Sequence, residues 1–277
     1  NGFGISIEED ENYFMLSSDN LKPSNIRFKS PTNLGTAHAV IISAFLHGDS
    51  ILNNISEDPE IEELFSFLKA MGVEIERLEP TKIKIKGTNI FKGLTWVMSP
   101  DKTDIVMFSV ATLITNGNVL IKGVDREALT AFSYFLMKIG AKFEFTDNSL
   151  KIWRSGENLE STNAVIGSYP GLLSDWAPML TLLLCKSTGE SVIHDTVYTD
   201  RSDYIKDLNR MDAKIDLFKA SEIGKDFVTQ DDSFDVEKQE EPQTVIKIQG
   251  PVKLKAEKID ILDMRFGAVL LLSLIHI

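Results

Sequence analysis

The chain has 277 residues and a mass of 31.0 kDa, with 43% hydrophobic and 25% charged residues; that balance supports a sizeable core in one large or two ordinary domains and excludes a disordered or collagen-like chain. Lys+Arg number 29 against 41 Asp+Glu, a net charge of -12 and a pI near 4.9, which argues against generic electrostatic binding to nucleic acid or to an anionic membrane. The single cysteine excludes an intrachain disulfide, and no apolar run reaches the roughly 18 residues that cross a bilayer, so the sequence predicts a reducing, cytoplasmic setting.

Taken in chain order, ENYFMLSS and the strand after it look like the tail of an earlier unit. The turn Ser30-Pro31-Thr32-Asn33 then leads into an apolar helix expected to be buried on nearly every side, and Gly48 opens a short strand. An amphipathic helix follows, with Ile61, Leu64, Phe65 and Leu68 at i, i+3, i+4 and i+7. It ends at Gly72, and the alternating strand TKIKIKG runs to Gly87. The same order returns from Ser99, through Gly117, the stripe Leu129, Phe132, Leu136 and Ile139, the turn at Gly140 and the strand NSLKIWRSG ending in Gly156. A third copy runs from Tyr169 through Gly189 and Asp212 to TVIKIQG, ending in Gly250.

The leading glycines stand 69 and 72 residues apart, and the turn residues Gly72, Gly140 and Asp212 stand 68 and 72 apart. A helix that ends in the left-handed conformation favours Gly there, and Asp is among the few residues that substitute. The repeating unit is therefore strand, helix, strand, helix, strand, strand, with one buried and one half-exposed helix. From Glu222 to Glu241 eight acidic residues face only Lys225 and Lys238, which accounts for half of the net charge and reads as a solvated loop, an inert insertion. KIDILDMRFGAVLLLSLIHI looks like the start of a fourth copy, so the pattern predicts a chain cut within a repeat at both ends.

Five short motifs lie along this repeat: Asp58-Pro59-Glu60-Ile61, Ser99-Pro100-Asp101-Lys102-Thr103-Asp104, Tyr169-Pro170-Gly171 through Ser174-Asp175, Thr196-Val197-Tyr198-Thr199-Asp200-Arg201, and Asp263-Met264-Arg265. In order and spacing they resemble the enolpyruvyl transferase family, in particular the branch acting on UDP-N-acetylglucosamine. The resemblance implies an α/β fold of two inside-out barrels built of βαβαββ units, with the active site between them. On that map residues 1–98 are the later part of the first barrel and residues 99–277 most of the second, its last unit incomplete.

The implied reaction transfers the enolpyruvyl group of phosphoenolpyruvate to the 3-hydroxyl of UDP-N-acetylglucosamine, by addition and then elimination of phosphate, the first committed step of peptidoglycan synthesis. It uses no metal or cofactor, and the expected state is a monomer working on small molecules, although such a fragment alone is expected to be inactive. Two alternatives stand beside it: the sister reaction on shikimate 3-phosphate, and a non-catalytic paralogue that binds a nucleotide sugar.

A sugar hydroxyl that attacks must lose a proton to a positioned base, and phosphorylated substrates need cations and helix N-termini. Asp175 reads either as a helix cap or, by the resemblance, as the base. Arg201 and Arg265 read either as solvated charges or, by the resemblance, as holders of the phosphoenolpyruvate carboxylate. The resemblance also puts Ser30, Pro31, Thr32, Asn33 and Val197, together with Asp175, in the UDP-sugar site, with Asp58, Asp101 and Asp263 supporting. Leu34-Gly35 and Trp176-Ala177-Pro178-Met179 depart from the family pattern. Cys185 reads as a buried small hydrophobe, the four histidines show no ligand spacing, and Trp96, Trp153 and Trp176 read as core.

Overall fold

The computed structural model describes residues 2–10 and 13–258. The chain divides into two units, residues 1–99 and 100–277.

In the first unit, β1 (Ser6–Glu9) and β2 (Phe14–Ser17) pair antiparallel as a hairpin. The elements β3 (Asn25–Arg27), α1 (Asn33–Phe45), β4 (Gly48–Asn53), α2 (Pro59–Met71), β5 (Glu74–Glu79) and β6 (Lys82–Gly87) then follow the predicted order. Their sheet runs β3-β4-β6-β5, with β3 parallel to β4 and the other pairs antiparallel. Alternation in β6 puts Ile83 and Ile85 into the core and the lysines outside. Local chemistry sets the limits of α2. Asp58 caps it by accepting from the Glu60 amide, Pro59 fits the first turn, Glu60 and Glu62 complement the dipole, and Gly72 closes it at φ 106°. Ile61, Phe65 and Leu68 are buried, as the stripe requires.

The second unit holds two copies. The first comprises α3 (Lys102–Ile114), β7 (Asn118–Lys122), α4 (Thr130–Lys138), β8 (Lys142–Thr146) and β9 (Ser149–Trp153), with sheet order β7-β9-β8. The second comprises β10 (Leu159–Glu160), β11 (Asn163–Ile166), α5 (Ala177–Leu184), β12 (Ser187–Asp195), α6 (Tyr204–Arg210), β13 (Ile215–Phe218) and β14 (Val245–Gly250). Here β10 and β11 both lie parallel to β12, which continues through β14 to β13. Every residue of α5 is buried, and with α3 it forms the heart of one core that also takes in Phe132, Leu136 and Ile139. Gly72, Gly140 and Asp212 all have positive φ, at 106°, 70° and 68°. Each buried aliphatic or aromatic side chain in such a core contributes about 1.5–3 kcal/mol before entropy is charged against it.

Four expectations need correction. The middle copy has no leading strand: residues 88–101 form none, and Val97 and Met98 are 87% and 72% exposed. In the other copies that strand lies parallel to the one after the buried helix, whereas among the described residues β7 has no strand on its outer edge, beside exposed Leu120. The closing glycine of the middle copy also fails to pair. Gly48 faces Gly87 and Gly189 faces Gly250 in register, but the Arg154 amide donates to the Gly117 carbonyl, and Gly156 lies beyond the strand.

The reason lies at the helix ends. A Cβ on Gly87 would sit 1.9 Å from the Leu46 carbonyl oxygen at the end of α1, and one on Gly250 would sit 2.8 Å from the Leu184 carbonyl oxygen at the end of α5 and 2.2 Å from that of Ser187, which opens β12. At the middle copy the guanidinium of Arg154 instead donates to the Leu113 carbonyl. Finally, α1 is buried on one face only, through Thr36, Ala39, Val40, Ser43 and Ala44, while Leu34, Ile41 and Phe45 are exposed because the four-stranded sheet covers a single side. Trp176 is core, but Trp96 and Trp153 are only partly buried, and Trp96 donates its indole N–H to Glu63.

Candidate functional site

The second unit brings together Asp175, Arg201 and Val197. Asp175 lies in a single 3-10 turn (Ser174–Trp176) that precedes α5, and Trp176, not Asp175, occupies the cap position of that helix. The carboxylate points to Arg201, whose Nη1 donates to Oδ1 at 3.0 Å. Its side chain is 51% exposed against 23% for Arg201. The guanidinium also stacks over the Tyr198 ring, 3.3 Å from its centroid. One half-exposed carboxylate and one ring-stacked cation thus face each other at the surface, an arrangement that can take a proton and hold an anion.

Below them lies Asp195, which sequence reasoning missed. It ends β12 and is 8% exposed. One carboxylate oxygen accepts from the amides of Val197 (2.8 Å) and Tyr198 (3.3 Å), and the other accepts from the Ser174 hydroxyl (3.3 Å). Burial raises its pKa above the ordinary value, while those donors and the Arg201 charge pull the other way. Asp195 therefore joins the segment carrying Asp175 to the one carrying Val197 and Arg201. Thr196 adds a second tie, its hydroxyl and its amide donating to the Ile166 carbonyl at 2.7 and 3.2 Å. The available signal was an Asp directly before Thr196-Val197, the spacing at which a carboxylate receives the next amides in a turn.

The first unit holds the other predicted group. Thr32 caps α1 by accepting from the Gly35 amide, and a Cβ on Gly35 would meet the Thr32 methyl at 2.5 Å, which accounts for glycine there. Asn33 donates to Asp58 at 3.1 Å and accepts from the Ser56 hydroxyl, whose oxygen in turn accepts from the Asp58 amide at 3.2 Å. Asp58 thus caps one helix and fixes the first residue of another. Asp101 caps α3, accepting from the Thr103 amide at 2.7 Å. Trp176 through Met179 point into the core rather than to a surface pocket: Trp176 packs edge-on against Phe132 and donates to Thr103.

Asp263 and Arg265 lie outside the described residues. Among the described residues no cluster of His, Cys, Asp and Glu could hold a metal ion, and no helix is long and apolar enough to cross a membrane. Cys185 is buried, and burial pushes its thiol up to about 12.

Comparison with known proteins places this geometry in context. Residues 1–275 match the family described as EPSP synthase (3-phosphoshikimate 1-carboxyvinyltransferase). The UDP-N-acetylglucosamine 1-carboxyvinyltransferase of Desulforapulum autotrophicum is 30% identical over 214 residues, 77% of this chain and 51% of that protein. The enzyme of the same name from Chlamydia muridarum is 29% identical over 266 residues, 94% of this chain and 57% of that protein. The chain spans about half the length of the curated relatives it matches. Among solved structures, the enolpyruvyl transferase NikO from Streptomyces tendae superposes with a TM-score of 0.78 at 19% identity, and the EPSP synthase of Acinetobacter baumannii with 0.62 at 15%. Each covers 99% of this chain and 62% of the other. The fold is the inside-out α/β barrel type, and the chain belongs to the EPSP synthase family of enolpyruvyl transferases.

Proposed function

We propose that the protein transfers the enolpyruvyl group of phosphoenolpyruvate to the 3-hydroxyl of UDP-N-acetylglucosamine with release of phosphate, in the cytoplasm, as a step of peptidoglycan synthesis. The observation that carries this reading is the Asp175–Arg201 pair at 3.0 Å, held beside Val197 on the two motif-bearing segments. Asp175 takes the proton of the attacking hydroxyl, and its 51% exposure gives that proton a way out to solvent. Arg201, with Arg265, holds the carboxylate of phosphoenolpyruvate, a planar anion that suits a guanidinium. Ser30 to Asn33 and Val197 line the UDP-sugar site, with Asn33 oriented by Asp58. In this reading residues 1–98 are the later part of one barrel and residues 99–277 most of a second, and the protein acts as a monomer.

The sister reaction on shikimate 3-phosphate is the second reading, favoured by the family description and by the Acinetobacter baumannii structure. Phosphate release by the full-length protein separates the two. With phosphoenolpyruvate present, UDP-N-acetylglucosamine is expected to trigger release and shikimate 3-phosphate is not. The opposite pattern establishes the sister reaction, and UDP-sugar binding without release points to a non-catalytic paralogue.

A further inference from the structure

The acidic loop between β13 and β14 is the part of the chain that the repeat leaves unexplained. Most of its carboxylates face solvent, but the segment from Thr229 to Asp231 is half-buried against the candidate site. The Gln230 amide donates to the Thr196 carbonyl at 2.9 Å, and the Thr229 hydroxyl donates to the Val197 carbonyl at 3.2 Å. The Thr199 hydroxyl donates to one Asp231 carboxylate oxygen at 2.9 Å, and the Ser168 hydroxyl donates to the Gln230 side chain. The other Asp231 oxygen accepts from the Ser233 amide and hydroxyl, so the carboxylate is fixed from both sides. Phe227 and Phe234 close the loop at its base, edge to face, with ring centroids 5.4 Å apart.

Arg201 stands on a stretch without regular structure that follows β12, so the place of its guanidinium depends on how that backbone is held. Ile166 and Asp195 hold one side of it, as described above. The loop holds the other side, from Thr196 to Thr199, and reaches across to Ser168 in the turn that leads to Asp175.

We propose that the segment Thr229–Asp231 is a positioning clasp that sets Arg201 against Asp175, which makes the acidic loop a working part of the site rather than an inert insertion. Its kinetic consequence rests on the enolpyruvyl reading, whereas the clasp itself does not depend on the reaction.

The test uses the full-length protein and measures phosphate release while phosphoenolpyruvate is varied. Asp231→Ala and Thr199→Val are each expected to raise the KM for phosphoenolpyruvate and lower kcat, each by about tenfold, as expected for a displaced anion holder. Asp231→Asn keeps its oxygen for the Ser233 amide and hydroxyl and turns its nitrogen toward the Thr199 hydroxyl, which can accept in place of donating, and is expected to stay within about threefold of the parent. Glu237→Gln with Glu240→Gln, on the exposed part of the loop, is expected to change nothing. Parent-like kinetics in both Asp231→Ala and Thr199→Val overturn the clasp, as does an Asp231→Asn variant as impaired as Asp231→Ala, since loop charge would then be the cause.

Hydrogen exchange supplies a readout independent of turnover. Amides from Thr196 to Arg201 are expected to exchange at least about tenfold faster in Asp231→Ala, or in Thr199→Val should the first not fold. Unchanged exchange overturns the clasp even in an inactive parent, while a parent that releases no phosphate refutes only the proposed reaction.

Discussion

Asp175→Asn separates a working carboxylate from a structural one, because the two roles differ in size and in where the loss is felt. The ion pair with Arg201 is half open to water at its carboxylate end, with side chains 51% and 23% exposed. A pair of that kind contributes at most about 1 kcal/mol to stability. For a domain of this unit's size that corresponds to a fall in Tm of no more than about 2–4 °C. Removing a general base costs far more, about 10²- to 10⁴-fold in turnover, or roughly 3–5 kcal/mol of barrier. The amide is nearly isosteric and still accepts a hydrogen bond from Arg201, so the geometry is kept while the proton acceptor is lost. The assay is phosphate release by the full-length protein with phosphoenolpyruvate and UDP-N-acetylglucosamine, beside a thermal melt. Turnover within about threefold of the parent would refute the base assignment. A Tm loss beyond about 8 °C would make the residue structural and refute the partition just drawn.

Gly87→Ala should destabilise the fold by about 3 kcal/mol, the upper end for overpacking, because the new Cβ meets the backbone oxygens of Leu46 and Ser43, which cannot move aside. Gly93→Ala meets nothing within 4 Å and should stay within about 0.5 kcal/mol in the same urea titration. Cys185 should resist thiol reagents at pH 8 in the folded protein and react in urea, since burial pushes its pKa to about 12. Because the unfolded thiol ionises first, its contribution to stability falls as pH rises above the ordinary value of 9.0, and Cys185→Ala should flatten that alkaline limb. Glu157 accepts from Lys142 and from the Ser155 amide at 2.7 Å, which holds its pKa down to about 2. Its contribution is present above the ordinary value of 4.5 and is lost as pH falls toward 2, so Glu157→Gln should shrink the acid loss followed by circular dichroism; an unchanged acid limb would refute that account.

Much of the fold was legible because backbone geometry restricts residue choice at a few repeated points. Gly72, Gly140 and Asp212 mark left-handed helix ends, and the glycine pairs Gly48–Gly87 and Gly189–Gly250 mark strands pressed against helix carbonyls. Both constraints act on single backbone positions that admit little but glycine, so they survive in sequence as spacing. The missing strand of the middle copy was not legible, since strand formation depends on a partner edge that no residue between 93 and 98 encodes. The one-sided burial of α1 was hidden for a similar reason. Its composition is apolar all round, but how many faces are covered is decided by the neighbours, and Leu34 and Phe45 show the difference.

The site divides along the same line. Asp175 and Arg201 are recognisable from motif residues, yet only the structure separates a cap from an ion-paired carboxylate, by giving the cap position to Trp176. The docked stretch within the loop was hidden because the loop's composition, rich in carboxylates and without period, is that of a solvated segment. Composition reports the average side chain, whereas docking here needs three residues: Thr229 reaches Val197 across 32 positions, Gln230 reaches Ser168 across 62, and Asp231 reaches Thr199 across 32. Contacts of that range leave no trace in hydrophobic periodicity, because they join polar side chains that are far apart in sequence and as common on solvated loops as in docked ones. The acidity itself also takes on another meaning. A carboxylate that receives three donors, as Asp231 does, lies below its ordinary pKa although burial alone would raise it. Those neutral donors stabilise the negative charge within the loop without cancelling it, so Asp231 stays ionised while it holds Thr199.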